Sequence, residues 1–265
     1  MNVKVLTLQV TAKQRITIKG EVTMKKLLLA LFAVAGITSA HAQLSANLTA
    51  TSDYRFRGIS QTQNGAAVQG GVDYAHESGF YIGNWNSTVS KQLYPNGMGI
   101  EADLYAGYKK DIYNGLTVDV GSYNYFYPNS QAAAGNPSFT TNEAYVGLGY
   151  GPVTAKYSYS LSTYFGISNS TGSGYAQVDL LQPVGFIDNL NVVAHYGNTS
   201  VAKNSSLNYN DINAGLVYNL PEGFDLGVRY YTNTGGGSNF QSFNTVQGKQ
   251  LYKDAWVVNL TKTFN

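Results

Sequence analysis

The residues most able to do chemistry in this 265-residue chain are charged side chains that recur at every second position. Asp53, Arg55 and Arg57 form the first such group. In an extended strand this spacing places all three side chains on one face of the first strand, opposite Asp73 on the second. Rings of charge around a water-filled space can form a constriction that orients passing solutes. The spacing therefore predicts that the two arginines form the basic side of a constriction.

Other charges on polar strand faces extend this set of candidate pore-lining residues, with Glu101 and Asp103 also expected near the arginines. The full set is Asp53, Arg55, Arg57, Asp73, Glu101, Asp103, Asp119, Glu143, Lys156, Asp179, Asp211, Asp225 and Arg229. Nine of these residues are acids and four are bases, so a channel lined by them is expected to prefer cations weakly. The alternative is an ion-paired plug that passes little, because an unpaired ion away from water is costly.

Catalytic and metal sites find little support in the sequence. Ser and Asp are plentiful, yet no motif such as G-x-S-x-G singles out a nucleophile. His195 falls on a polar strand face, where a hydrogen-bonded structural residue is expected rather than a general base. His76 and Glu77 are adjacent at a strand end, so their side chains point apart and make a poor metal site. The absence of cysteine excludes disulfides and Cys-ligated metal sites. We expect no catalytic residue, no metal and no cofactor.

The formal net charge of +2 arises from the first 42 residues. Six of the 17 basic residues and one of the 15 acidic residues precede residue 43, which leaves 11 bases, 14 acids and a net charge of −3. No basic cluster larger than a neighbouring pair remains after that point. A nucleic-acid partner is therefore not expected.

Residues 24–42 have the three parts of a secretory signal peptide. Met24 is followed by two lysines, an apolar run covers residues 27–35, and an A-x-A site ends at Ala42. The apolar run is too short to cross a hydrocarbon core of roughly 30 Å. We expect cleavage between Ala42 and Gln43, and interpret residues 1–23 as an over-extended gene start. The folded domain is then 43–265.

After residue 42, period-2 alternation predicts an all-β chain of about twelve strands. The strands are expected to start near Leu44, Ala67, Phe80, Gly99, Leu116, Thr141, Val153, Gly174, Leu190, Tyr209, Phe224 and Lys253. Short connections (76–79, 111–115, 151–152, 183–189, 221–223) alternate with long polar ones (59–66, 90–98, 128–140, 162–173, 198–208, 232–252). This alternation is typical of an up-and-down transmembrane antiparallel β-barrel with short periplasmic turns.

A soluble β-sandwich gives the same alternation, so other features must decide between the two folds. Aromatic residues gather at strand ends, which fits the girdles of a membrane barrel. Those expected on the apolar face are Tyr54, Phe56, Tyr74, Trp85, Tyr108, Tyr150, Tyr196, Tyr218, Phe224, Tyr230 and Trp256. In the last strand, Trp256, Val258, Leu260 and Phe264 share one face and form an expected C-terminal signal for the barrel-assembly machinery. The membrane barrel is the favoured prediction.

Two motifs near the start resemble a known family. Residues 52–62 (SDYRFRGISQT) and 79–85 (GFYIGNW) are similar to the opening motifs of the TorF family of proposed porins, formerly a conserved hypothetical family. Residues 260–264 (LTKTF) resemble the end of that family. The resemblance spans essentially the whole chain after the leader. It implies an outer-membrane barrel and carries over no catalytic or binding residue.

Together these features predict a porin-like channel for passive diffusion of small hydrophilic solutes across the outer membrane, and not an enzyme. The expected partners are outer-membrane lipid, the barrel-assembly machinery, periplasmic chaperones and the solutes. Two alternatives stay open. The first is a closed barrel with a structural or adhesive role, and the second is a barrel hydrolase.

Overall fold

A computed structural model describes residues 42–130 and 137–265. The strands, in chain order, are β1 (Ala42–Thr51), β2 (Arg55–Phe56), β3 (Ile59–Ser60), β4 (Ala67–His76), β5 (Phe80–Thr88), β6 (Ile100–Tyr113), β7 (Leu116–Phe126), β8 (Thr141–Tyr150), β9 (Val153–Ser160), β10 (Gly174–Pro183), β11 (Leu190–Ser200), β12 (Tyr209–Leu220), β13 (Phe224–Thr234), β14 (Thr245–Val246), β15 (Lys249–Gln250) and β16 (Ala255–Phe264). One short helix, α1 (Ser238–Phe243), and two 3-10 turns, Ser205–Leu207 and Pro221–Gly223, complete the described elements. Among them, no helix is long and apolar enough to cross a membrane.

Twelve of these strands form one closed antiparallel barrel in which chain neighbours pair with each other. The first barrel strand, β1, pairs with both β4 and the last strand, β16, and this pairing closes the wall. β2 with β3, and β14 with β15, form two small separate hairpins. The structure confirms the predicted up-and-down barrel, and every predicted strand start lies within two residues of the observed one. The predicted leader lies outside the described residues, apart from Ala42.

The barrel wall is apolar outside and polar inside. On β13, Leu226 and Val228 point outward and are exposed, whereas Arg229 points inward and is half-buried. Glu101 and Glu143 are 0% and 1% exposed in the interior. A soluble β-sandwich has the opposite arrangement, with its apolar face buried. The distribution therefore excludes the sandwich and is that of a barrel surrounded by lipid.

Inward-facing glycines make room for tyrosine rings on neighbouring strands. Gly83 of β5 pairs with Tyr105 of β6, and Gly121 of β7 pairs with Tyr145 of β8. A Cβ atom on Gly121 would lie 2.6 Å from the hydroxyl oxygen of Tyr145. Because glycine lacks a side chain, the ring can lie flat across the adjacent strand. This packing gives a structural reason for part of the Gly and Tyr enrichment of the chain.

Replacing Gly121 with alanine is expected to lower the stability of the barrel by about 1–3 kcal/mol, because overpacking forces the backbone to shift. The new Cβ would lie 2.5 Å from the backbone carbonyl oxygen of Ala106. Gly147, another inward glycine, is the matched control, since a Cβ there would come no closer than 3.6 Å to any atom. Denaturant unfolding in detergent micelles measures both variants. Equal unfolding midpoints for the two alanine variants would contradict the prediction.

Three aromatic residues assigned to the apolar face lie in the interior instead. Tyr54 and Phe56 follow the end of β1 at Thr51 and turn inward with the chain. Trp85 shares the inward face of β5 with Gly83, and its ring lies 5.2 Å from that of Tyr54. The prediction was wrong for Tyr54 and Phe56 because it extended the first strand beyond Thr51. It was wrong for Trp85 because it assigned this residue to the opposite face of β5. The tyrosine-rich composition therefore serves the interior as well as the outer surface.

Candidate functional site

The segment after the first strand folds into the barrel. β1 ends at Thr51, and residues 52–66, here called the inward segment, contain the β2–β3 hairpin before the wall resumes at β4. The hairpin turns at Arg57 and Gly58, whose φ angles of 48° and 78° are left-handed and end any extended strand. The prediction that Asp53, Arg55 and Arg57 share one face of the first strand opposite Asp73 is therefore wrong.

Arg57 fastens the inward segment to the opposite wall. Its Nη1 and Nη2 atoms donate to Oε1 and Oε2 of Glu143 on β8 at 3.0 and 2.7 Å. The guanidinium carbon also lies 4.1 Å from the ring centroid of Tyr175 on β10. Both members of the ion pair are nearly fully buried. A bidentate pair with an aromatic ring over the guanidinium is a strong and geometrically specific arrangement.

The turn of the hairpin approaches the wall closely. The hydroxyl of Tyr209 donates to the carbonyl oxygen of Arg57 at 2.9 Å. The side-chain amide of Asn233 donates to the carbonyl oxygen of Gly58 at 3.1 Å. A Cβ on Gly58 would lie 2.7 Å from the Cβ of Asp211. Only glycine fits this position, because both its φ angle and the contact exclude a side chain.

Arg55 and Asp53 stabilise the inward segment from within. Arg55 Nε donates to Asp53 Oδ2 at 2.7 Å, and Arg55 Nη1 donates to the carbonyl oxygen of Lys253 at 2.6 Å. The other carboxylate oxygen of Asp53 accepts a hydrogen bond from Ser60 at 2.6 Å. This arginine is therefore occupied by contacts within the segment and with the loop that precedes β16.

Aromatic and aliphatic side chains of the long connections cover the barrel end at which the inward segment enters. Tyr94 stacks on Tyr127 with ring centroids 4.1 Å apart, and its hydroxyl donates to Gln61 of the inward segment at 2.5 Å. Burial, and then the charge of Glu101, raise the pKa of Tyr94 well above its ordinary value, so this hydroxyl stays protonated. Phe240 of α1 packs with other apolar residues in a second cluster at the same end.

Two cavities lie in the polar interior of the described barrel. The central cavity, of about 450 Å³, is lined by charged residues, including Arg57, Asp103, Lys156, His195 and Asp211, and by a ring of tyrosines. The turn-side cavity, of about 540 Å³, reaches toward the short connections and includes Asp73, Lys109 and Asp119. The two cavities adjoin, because Tyr105, Tyr123, Tyr145 and Lys156 line both of them.

Several predicted pore-lining acids accept hydrogen bonds from tyrosines. Tyr105 donates to Asp73 at 2.5 Å, and Tyr81 donates to Asp119 at 2.6 Å. Near the short turns, Asp225 accepts from the side-chain amide of Asn219 at 2.5 Å. These contacts place the carboxylates against the wall, where phenol groups offset part of the cost of their desolvation.

The other two predicted bases, Lys156 and Arg229, lie on wall strands and face the lumen. Lys156 Nζ lies 5.4 Å from the ring centroid of Tyr145, in the shared part of the two cavities. Arg229 pairs with Gly215 across β12 and β13 and points inward. Lys109, which was absent from the predicted set, lines the turn-side cavity. Lys109 lies an even number of positions from Asp103 on β6, so both side chains face the same side of the strand. This spacing could have identified Lys109 as a lumen residue.

His195 lies between two aspartates of neighbouring strands. Its Nδ1 is 2.6 Å from Asp179 Oδ1, its Nε2 is 2.9 Å from Asp211 Oδ1, and the hydroxyl of Tyr175 lies 2.9 Å from Nε2. Ionised carboxylates only accept hydrogen bonds, so two aspartate partners require both ring nitrogens to donate. The geometry thus favours a positively charged imidazolium. The sequence placed His195 on the polar face, but its partners depend on register.

The family model described as "Bacterial protein of unknown function (Gcw_chp)" matches residues 35–264. The chain belongs to the Gcw_chp family. No curated protein matches this Gcw_chp chain. Among solved structures, it resembles the KdgM porin at 8% identity, over 83% of this chain and 99% of that one, with a TM-score of 0.50. A NanC porin structure is similar at 10% identity, over 83% and 98% of the two chains, with a TM-score of 0.51. These likenesses show that the Gcw_chp chain shares the fold of porin barrels.

Proposed function

We propose that this protein is an outer-membrane channel for passive diffusion of small hydrophilic solutes. The observation that carries the proposal is a polar interior with two adjoining cavities, of which the central one lies beside the inward segment. A barrel of twelve strands is intermediate between filled eight-stranded barrels and wide porins. The fold shared with the KdgM and NanC porins supports the same role. The inward segment, fastened by Arg57, narrows the path.

Planar lipid bilayers test the channel directly. Purified barrel whose folding is verified by heat-modifiable gel migration is expected to produce stepwise single-channel currents. Silent but folded protein would favour the second candidate, a closed barrel with a structural or adhesive role. The apolar clusters that cover one end of the barrel are the observation that favours this alternative.

The channel is expected to prefer cations weakly. Two of the predicted bases, Arg55 and Arg57, are neutralised by Asp53 and Glu143. The remaining inward acids outnumber the remaining inward bases, so the electrostatic potential in the lumen is negative. A reversal potential measured under a KCl gradient should have the sign of cation preference. A reversal potential of the opposite sign would contradict this prediction.

The route to the membrane belongs to the same proposal. A cleaved leader, residues 24–42, would carry the chain across the inner membrane to periplasmic chaperones and the barrel-assembly machinery. The outward face of β16, which includes Trp256 and Phe264, is the proposed assembly signal. The resemblance to the TorF family is consistent with this route.

The channel role needs no catalytic residue, and a hydrolase is the least supported alternative. In the described contacts, the ring nitrogens of His195 meet carboxylates and a phenol rather than a serine hydroxyl. A nucleophile activated by that ring is therefore not assembled here.

A further inference from the structure

Two buried carboxylates of the described interior have no cationic partner within it. Glu101 and Asp103 lie two residues apart on the inward face of β6 and are 0% and 4% exposed. Among the described residues, no Lys, Arg or His lies within ion-pair distance of either one. Tyr127 donates to Glu101 Oε1 at 2.8 Å, but Glu101 Oε2 and Asp103 Oδ1 find no hydrogen-bond partner in these residues. The pair therefore has unused capacity to hold positive charge.

A comparison with Glu143 shows which partner Glu101 and Asp103 lack. That carboxylate is equally buried and receives both guanidinium nitrogens of Arg57. Two neighbouring carboxylates that lack such a partner repel each other, and burial adds the cost of desolvation. A proton shared by the pair or a cation supplied from outside would relieve both effects.

Aromatic rings surround the lumenal member of the pair. Asp103 pairs directly with Trp85 on β5 and with Tyr125 on β7. Tyr105 and Tyr123 lie nearby on the same face, and their rings stack at 4.9 Å. All five side chains line the central cavity.

This combination of groups selects a particular ligand chemistry. Metal cations such as Ca²⁺ and Mg²⁺ require about six or more oxygen ligands, whereas the strand partners of Asp103, Trp85 and Tyr125, are aromatic. Organic ammonium ions instead bind to carboxylates and to the faces of Trp and Tyr rings. A cavity of about 450 Å³ accommodates such an ion.

We infer that the central cavity binds a small organic ammonium ion, with Asp103 opposite its charge and the rings of Trp85, Tyr125 and Tyr105 around its alkyl groups. The buried Glu101, two residues away on β6, adds to the negative potential at that position. This inference rests on the proposed function, since it names the solute class of the same lumen. The proposed weak preference for cations thereby becomes a preference for organic ammonium ions.

Tryptophan fluorescence can test the site without measuring transport. The chain has two tryptophans, and Trp256 lies on the outer surface, so a Trp256→Phe protein reports Trp85 alone. This protein in detergent micelles is titrated with choline chloride against KCl of equal ionic strength. A saturable fluorescence change specific to choline is expected. Asp103→Asn, and separately Glu101→Gln, should weaken the apparent affinity at least tenfold, whereas Asp188→Asn in an exposed turn should leave it unchanged.

Each variant is first shown to be folded by heat-modifiable migration. No saturation in folded protein, equal saturation by KCl, or an affinity unaltered by Asp103→Asn would overturn the inference. A carboxylate pair that only shares a proton would give the first of these results. A conducting barrel that fails to bind choline refutes the ammonium site alone, and a silent barrel that binds choline refutes the channel alone.

Discussion

Replacing Arg57 with alanine is expected to destabilise the barrel by about 3–5 kcal/mol, the typical cost of leaving a buried charge without its partner. The variant removes both hydrogen bonds to Glu143 and the contact with the Tyr175 ring. Denaturant unfolding in detergent measures the loss. Replacing Arg57 and Glu143 together with apolar residues should restore part of it, because no unpaired carboxylate then remains. A double variant as unstable as the single one would contradict this explanation.

The same substitution is expected to change the current through the channel. With this anchor removed, the inward segment is held by its remaining contacts, such as those of Tyr209 and Asn233, and its greater freedom to move should raise the single-channel conductance. The uncompensated charge of Glu143 should also move the reversal potential further toward cation selectivity, and neutralising Arg55 as well should extend this change. Lys91→Ala, at an exposed position of a long connection, is the control. An unchanged reversal potential under a salt gradient would contradict a role of these arginines in selectivity.

Replacing His195 with alanine is the second change with a large expected effect. It leaves Asp179 and Asp211 without the imidazole that lies between them at 2.6 and 2.9 Å. We expect a loss of about 1–3 kcal/mol, less than for Arg57, because Asp179 is 39% exposed and water screens its charge. The unfolding midpoint in denaturant should fall accordingly.

His76 provides the matched control for that measurement. It lies at an exposed strand end, where its Nδ1 contacts the hydroxyl of Ser78 at 2.7 Å. His76→Ala should therefore leave the unfolding midpoint nearly unchanged. If both histidine variants unfold at the same denaturant concentration, the charge network around His195 contributes no stability.

Local features of the sequence determined the barrel itself. Alternating polar and apolar residues assigned Tyr230 to the outer surface and Arg229 to the interior, because successive side chains of a strand point to opposite faces. The alternation of short and long polar connections marked where most strands begin and end. These signals depend only on neighbouring residues, so one sequence was enough to place twelve strands.

Only the tertiary structure decided what fills the interior. Arg57 and Glu143 are 86 residues apart, and His195 is 16 residues from each of its aspartates. Their meeting depends on the register of neighbouring strands and on the closure of the barrel, which alternation does not encode. The inward course of residues 52–66 has the same origin: an alternating run of Asp and Arg reads as a strand, and a left-handed turn at Arg57 and Gly58 folds it into the lumen. Sequence alone therefore determined the barrel and the inward side of most wall strands, whereas non-local contacts decided the course of residues 52–66 and which interior side chains meet.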